Sequence, residues 1–344
     1  MIIMKDKKKA KILLIGASGG GVTEGLLKGL RHGGYTNMTL LAYSENSVHL
    51  HRVADTIIIN TNPDDGEKYI DALISVCTKN NINIIVPGST WESRAISVYE
   101  QKFYDHNIVP LVNNIETIKI GDDKWNTFLQ LTELDIPTPK SFLTVEDILN
   151  DSKTEFPVII KPRQGRGSQN VFKVNSREEL DAICKYFDIK KIKYILQEYM
   201  DRDAAEYTVG VISDNKGNAI ESIVMRRLLM GGATGFAEVM EHTYINDFCM
   251  DVANKIGSTG PINVQLRLDN NDQPSVFEIN PRFSGSSPMR TLAGFNEIDK
   301  IIEIKYCNKE IEKSQIEFGN KYYRAFQEVE IKKDELKGQI TNLL

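Results

Sequence analysis

The densest concentration of chemistry in this chain lies in two segments around a polar turn. Asn263-Val-Gln265-Leu-Arg-Leu-Asp269 precedes the turn Asn270-Asn-Asp-Gln273, and Pro274-Ser-Val-Phe-Glu278-Ile-Asn280-Pro-Arg282 follows it. A hairpin centred on that turn sets Gln265 opposite Glu278 and Asn263 opposite Asn280. Side chains alternate between the faces of a strand, so Gln265, Glu278, Asn280 and Arg282 project from one face. Val264, Leu266, Phe277 and Ile279 supply the other, apolar face. Three oxygen donors with one carboxylate suit Mg²⁺, which keeps water and phosphate oxygens as its remaining ligands. A slip of one residue in register would remove the cluster, and a solvated hairpin face is the plainer reading.

A second segment, Phe156-Pro-Val-Ile-Ile-Lys161-Pro-Arg163-Gln-Gly165-Arg166-Gly167-Ser168, ends an apolar strand in a lysine and continues into a glycine-rich loop. No helix follows and the lysine precedes the glycines, so it is not a Walker loop. Its amides, hydroxyl and guanidinium groups make a lid over phosphates, with Lys161 as a fixed charge. An ordinary exposed loop is the alternative. Gln197-Glu198-Tyr-Met200 ends another strand and Glu206 begins the next. Backbone groups there can read an adenine edge and a carboxylate can accept ribose hydroxyls, although charged strand ends are common. Gly16-Ala-Ser-Gly-Gly-Gly21 follows the first strand and opens a helix, where amides can meet a carboxylate, a phosphate or a dinucleotide, or simply make a tight turn. Ser44-Glu45 and Pro87-Gly-Ser-Thr-Trp91-Glu92 stand at further strand ends; Trp91 and Glu92 suit an ammonium or sugar-like group, or a helix cap with a packed tryptophan.

These groups need elements to hold them. Across the first 120 residues, short apolar runs (11–15, 39–43, 56–59, 82–86 and 108–112) alternate with helical patterns (22–31 and 67–79). That alternation predicts a doubly wound parallel sheet. A helix over 124–134 stops before Pro137 and Pro139, and longer strands with hairpin turns follow from residue 156. These predict an α+β region on antiparallel sheets, with a boundary within 115–140.

The 344 residues allow two or three such units. Lys and Arg total 42 against 47 Asp and Glu, a net charge of −5, which argues against bulk nucleic-acid binding. Cys77, Cys184, Cys249 and Cys307 have no metal or redox spacing, and no apolar run approaches the roughly 18 residues of a membrane span. With no signal-peptide pattern at the N-terminus, the expectation is a cytoplasmic protein with reduced thiols.

In their order, these segments resemble the ATP-grasp superfamily, specifically its carbamoyl-phosphate-synthetase-like carboxylate–amine ligases. The resemblance covers about residues 10–330, and its most specific piece is Phe277-Glu278-Ile-Asn280-Pro-Arg282-Phe-Ser-Gly285-Ser286. It implies a pre-ATP-grasp domain at 1–120, a lid-bearing subdomain at 121–200 and a metal-bearing subdomain at 201–344. It further implies ATP and Mg²⁺ as cofactors, with Mn²⁺ as a substitute. Lys124 and Lys161 resemble the two phosphate-binding lysines; Gly165, Gly167 and Ser168 the lid; Gln197, Glu198 and Met200 the adenine hinge; Glu206 the ribose carboxylate. Gln265, Glu278 and Asn280 would bind two Mg²⁺ ions, with Gln265 standing where many relatives carry a carboxylate. Arg282, Lys161 and Arg227, the last from a basic hairpin Arg226-Arg227 before Gly231-Gly232, would act on the transferring phosphoryl and acceptor. Lys124, Lys161, Arg163, Arg166 and Arg282 would surround one triphosphate, and Tyr323-Arg324 resembles a closing strand. His242 reads as a surface or supporting group. The implied reaction joins a small-molecule carboxylate to an amine through an acyl-phosphate, releasing ADP and phosphate, with no nucleic acid or membrane involved and a homodimer as one option. A phosphotransferase and a catalytically silent nucleotide-binding protein are the competing readings.

Overall fold

The computed structural model describes residues 6–17, 21–42, 50, 54–59, 66–165, 167–200, 205–269, 271–325, 328, 330, 332 and 340–342. Residues 18–20 of the glycine turn, Ser44, Glu45 and Arg166 lie outside the described residues. No described helix is long and apolar enough to cross a membrane.

The first apolar runs form parallel strands β1 (Ile12–Ala17), β2 (Met38–Ala42), β3 (Thr56–Ile59), β4 (Ile84–Pro87) and β5 (Val109–Pro110), ordered β3-β2-β1-β4-β5. Helices α1 (Val22–His32), α2 (Glu67–Lys79), α3 (Thr90–Val98) and α4 (Glu100–Asp105) alternate with them. Ile12 and Leu14 enter one core and Leu13 and Ile15 another, so both sheet faces are covered. Continuous apolar runs rather than alternation are what such double burial requires.

Two helices, α5 (Ile115–Asp122) and α6 (Lys124–Glu133), lead into an antiparallel sheet of β6 (Ser141–Phe142), β7 (Val158–Pro162), β8 (Phe172–Val174) and β9 (Tyr194–Glu198), ordered β6-β9-β7-β8. Helices α7 (Val145–Asn150) and α8 (Arg177–Ile189) accompany it. A larger antiparallel sheet follows, built from β10 (Glu206–Ser213), β11 (Ala219–Met230), β12 (Ala233–Met240), β13 (Pro261–Leu268), β14 (Pro274–Asn280) and β15 (Lys321–Tyr323). Its order is β14-β13-β10-β11-β12-β15, with α9 (Thr243–Lys255) packed on one face. Helices α10 (Ser287–Leu292) and α11 (Glu297–Lys305) lie toward the other face. The fold is therefore the parallel α/β unit followed by antiparallel α+β units that the patterning predicts. One strand departs from the expected grouping of 201–344. The short β16 (Ile340–Asn342) returns to the first sheet and pairs in parallel with β3.

Packing locks the first unit onto the last. A methyl group at Gly25 of α1 would lie 2.7 Å from Pro288 Cδ, and one at Gly29 would lie 3.1 Å from Ile298 Cγ2. Two glycines one turn apart let α1 press onto α10 and α11, merging the first sheet and the face of β10–β12 into one core. Buried Asn113, just after β5, donates to the Pro261 carbonyl and accepts from Ser258 Oγ and the Thr259 amide. The Asn113 bonds tie the start of β13 to the end of the parallel sheet.

Candidate active site

Strands β13 and β14 adopt the expected register, Asn263 opposite Asn280 and Gln265 opposite Glu278. A bulge then intervenes, because the next pair is Leu266 with Val276. Phe277 is the extra residue. It therefore leaves the apolar face assigned to it by strict alternation, while Val264, Leu266, Val276 and Ile279 remain in the core. Lys161 Nζ sits 5.7 Å from the centre of the Phe277 ring and 3.5 Å from the Phe277 carbonyl oxygen. Within the cluster, Asn280 Nδ2 donates to Glu278 Oε1 at 3.2 Å and Arg282 Nη2 donates to Asn280 Oδ1 at 3.0 Å.

Arg227 comes from β11, two strands away from β13. It stands opposite Glu206 in register, and Glu206 stands opposite Arg267 on its other side. Arg227 Nε and Nη2 both reach Glu206 Oε1, at 2.9 and 2.7 Å, and Nη2 also donates to Gln265 Oε1 at 2.7 Å. Arg267 Nη2 takes Glu206 Oε2 at 2.5 Å. Both oxygens of the carboxylate assigned to the ribose are thus held by guanidinium groups. Period-2 alternation from Gln265 places Arg267 on this face, which is the signal for it in the sequence. The neighbouring Arg226 faces away from the cluster and pairs with Glu238.

Lys124 opens α6 directly after Asp123, whose carboxylate caps the helix by accepting from the Trp125 amide. The same carboxylate binds Arg163 Nε and Nη2, so Arg163 anchors the helix start. Asp122 accepts from Arg94 of α3 and from Gln164 of the glycine-rich loop. Gly121 permits the approach of this corner to the hairpin: a Cβ there would lie 2.6 Å from Pro281 Cδ and 2.7 Å from the Ile279 carbonyl oxygen.

Electrostatics single out Glu278 and Lys161. Burial alone would push the Glu278 carboxyl up, but Lys124, Lys161, Arg227 and Arg282 together hold it below the usual carboxylate range. Lys161 is 5% exposed. Its burial, reinforced by the charge of Lys124, lowers its pKa from the ordinary 10.5 to about 7. Because the unfolded chain binds the extra proton, this group's contribution to stability is present above 10.5 and lost as pH falls through about 7. A polyphosphate beside Lys161 restores the charged form. ADP binding at pH 8 is therefore expected to take up a fraction of a proton approaching one, and to weaken as pH rises further. Calorimetry in buffers of different ionisation heat checks this; zero uptake in wild type would contradict it.

The loop between β7 and β8 holds Gly167 and Ser168 at positive φ, +64° and +52°, with Gly165 leading in. It touches the tight turn between β11 and β12. A Cβ on Gly232 would fall 1.9 Å from the Gly167 carbonyl oxygen, and Gly232 itself has φ +78°. Gly232→Ala is expected to hold the loop open, weakening ADP and ATP binding about tenfold while leaving the melting temperature within a few degrees. Titration calorimetry with a thermal scan checks both halves.

Glu198 is exposed, its carboxylate accepting from the Lys140 amide at 3.3 Å, and half-buried Met200 lies just beyond β9. The Gln197 side chain, in contrast, is buried and donates to Ser141 Oγ. Arg282 Nε donates to Thr90 Oγ1 at 2.9 Å, bringing the start of α3 into the site, a long-range contact with no sequence signal. Trp91 packs 5.2 Å from the Tyr69 ring, and Ser89 Oγ caps α3 by accepting from the Glu92 amide while donating to the Glu92 carboxylate, an arrangement in keeping with the helix-cap alternative. His242 caps α9, its Nδ1 accepting from the Ile245 amide. Arg324 ties the start of β12 to the segment after β14, donating to the carbonyl oxygens of Thr234 and Gly285.

Among the described residues no three His, Cys, Asp or Glu side chains gather as a self-sufficient metal site. One ionised carboxylate beside the amide oxygens of Gln265 and Asn280, which here accept from Arg227 and Arg282, fits a hard cation that takes most of its ligands from phosphates and water, so the donor set suits Mg²⁺ delivered with a nucleotide.

A family model described as ATP-grasp in the biosynthetic pathway with Ter operon matches residues 190–323. Carbamoyl-phosphate synthase of Methanobrevibacter smithii is 22% identical over 262 residues, covering 71% of this chain and 70% of its own length. The carbamoyl phosphate synthase large chain of Thermoplasma volcanium is 24% identical over 288 residues, 77% of this chain, and the chain spans about a quarter of that longer protein, 26%. Among solved structures, N5-carboxyaminoimidazole synthetase from Staphylococcus aureus complexed with ADP superposes with a TM-score of 0.70 at 18% identity, covering 92% of this chain and 82% of the other.

Proposed function

We propose, from the premise that the chain is an ATP-grasp protein, that it is an ATP- and Mg²⁺-dependent ligase joining a carboxylate to an amine through an acyl-phosphate. The observation that carries this reading is the carboxylate Glu278 held below the usual carboxylate range by Lys124, Lys161, Arg227 and Arg282, with Glu206 paired to Arg227 beside it. An excess of fixed cations around one metal-ligand carboxylate is complementary to a metal-bound polyphosphate and to little else of that size.

A carboxylate does not react with an amine at neutral pH, because its oxygen is a poor leaving group. Transfer of the γ-phosphoryl group to that oxygen gives an acyl-phosphate and ADP; attack by the amine then expels phosphate. Such chemistry asks for positioning and charge stabilisation more than for an acid–base pair. Glu278, with the amide oxygens of Gln265 and Asn280, would hold Mg²⁺, which when bound neutralises charge on the phosphates. Lys124 and Lys161 orient the polyphosphate, and Arg282, steadied by Thr90 and Asn280, faces the charge that develops on the transferred group. Arg227 stands beside Gln265 and Glu206 as a further fixed charge. The loop carrying Gly165, Gly167 and Ser168 excludes water from the acyl-phosphate. Glu198 and Met200 supply the backbone that reads adenine.

The test is incubation with MgATP and pooled amino acids and carboxylates, following ADP, AMP and new masses. ADP with a new amide mass supports the ligase. AMP would rule out the acyl-phosphate route, ADP with a stable phosphorylated product would show a phosphotransferase, and an absence of turnover with ATP binding unaffected by Lys161→Ala or Glu278→Ala would leave a binding protein.

A further inference from the structure

Lys161 does not stand alone on its sheet. Gln197 of β9 lies opposite Ile159 of β7, which makes Lys161 its diagonal neighbour on the same face. Lys161 Nζ donates to Gln197 Oε1 at 2.7 Å, and Gln197 Nε2 donates to Ser141 Oγ at 2.8 Å. Ser141, opposite Gln197 on β6, donates its own proton to the Pro139 carbonyl at 3.2 Å. All three side chains are 4–5% exposed, so water does not compete for these bonds.

The direction of the chain follows from donor arithmetic. With its only proton on Pro139, the Ser141 hydroxyl can only accept from Gln197. That fixes the amide with nitrogen toward Ser141 and oxygen toward Lys161. The flipped amide would set two donors against each other at Lys161 and two acceptors against each other at Ser141, both buried.

We infer that Gln197 is a positioning residue for nucleotide phosphates, acting through Lys161, and that Ser141 sets its orientation. One of the lysine's three protons is committed sideways to Gln197, which leaves the ammonium aimed into the groove toward Glu278 and the phosphates. This differs from the hinge role that resemblance assigns to Gln197, in which its contact would be with adenine. The inference rests on the nucleotide-binding reading above.

The experiment measures affinities of the full chain for ADP and for adenosine, in wild type, Gln197→Met, Ser141→Ala, Lys161→Met and the Gln197→Met/Lys161→Met double variant. Gln197→Met is expected to weaken ADP binding about tenfold, the loss of one charge-assisted hydrogen bond, with adenosine affinity within about twofold of wild type. Ser141→Ala frees the amide to flip and is expected to show the same selectivity at a smaller size. In the Lys161→Met background, Gln197→Met is expected to add less than about twofold. Equal weakening of ADP and adenosine would return Gln197 to the hinge and overturn the inference; so would unchanged ADP affinity in the variants, or additive losses in the double variant. Should Gln197→Met fail to fold, the selectivity of Ser141→Ala decides. A wild-type chain that binds neither ligand refutes the nucleotide reading itself, a result distinct from binding without phosphate selectivity.

Discussion

Glu278→Gln is expected to abolish the Mg²⁺ dependence of nucleotide affinity and to lower ATP turnover by about a thousandfold. The glutamine keeps the size and one oxygen of the native side chain but removes the carboxylate that Lys124, Lys161, Arg227 and Arg282 hold below the usual range, leaving Glu206 paired with Arg227. Metal-free ADP then meets these groups without competition from Glu278, so its affinity should hold or rise. Mg²⁺ loses its one anionic protein ligand, and the metal's contribution to binding should disappear. Turnover should fall by the amount typical of deleting a principal electrostatic group from a preorganised site. In the free protein the same change leaves Lys124 and Arg282 without that counter-charge, and the melting temperature should drop until nucleotide is added. Affinity for ADP with and without Mg²⁺, measured on both proteins, decides the matter. Were Mg²⁺ to tighten ADP binding equally in both, Glu278 would not be a metal ligand.

That the hairpin could be found beforehand reflects the locality of its determinants. A polar turn and period-2 alternation set the register from Asn263 to Gln265 without reference to anything distant. Alternation also fails locally, at Phe277, because a bulge depends on what the partner strand must reach: here the extra residue brings a ring and a carbonyl under Lys161. Parallel strands β1–β5 were readable because burial on both faces leaves continuous apolar runs. The three-residue β16 and the two-residue β6 carry too few side chains for a period. Charged residues were harder still. Residue type alone cannot say which neighbour an arginine pairs with, and the partnership of Arg163 with Asp123, 40 residues away, is visible only in the fold. Gln197 and Thr90 exert their effects through partners 36 and 192 residues away, a relation only the folded chain displays.

The largest effect on stability is expected from Arg290, the largest fully buried side chain among the described residues. It is 0% exposed and pairs with Glu297, 1% exposed, at 2.5 Å between Nη1 and Oε1. Its Nη2 donates to Asn263 Oδ1 at 2.5 Å and to Thr208 Oγ1 at 3.3 Å, while Ser287 Oγ donates to the second oxygen of Glu297. The ion pair lies directly over Gly210 of β10, where a Cβ would come within 2.2 Å of Glu297 Oε1 and 2.3 Å of Arg290 Nη1. A buried pair adds little net stability compared with apolar residues of the same volume, because desolvation offsets attraction. Removing one partner is different, since a bare charge remains in the core. Arg290→Met is therefore expected to destabilise the protein by about 3–5 kcal/mol, Glu297→Leu by a similar amount, and the double variant by much less than their sum. Gly210→Ala should behave like the single variants, by forcing the pair apart. Asn263 loses its guanidinium partner in Arg290→Met, and on the same strand face Gln265 comes next, so a weakened response to Mg²⁺ should accompany the lost stability in whatever fraction stays folded. Denaturant unfolding of the two single variants and the double variant measures the coupling. Additive losses would mean that Arg290 and Glu297 act independently, and that the network beneath β10 and β13 is held by packing alone.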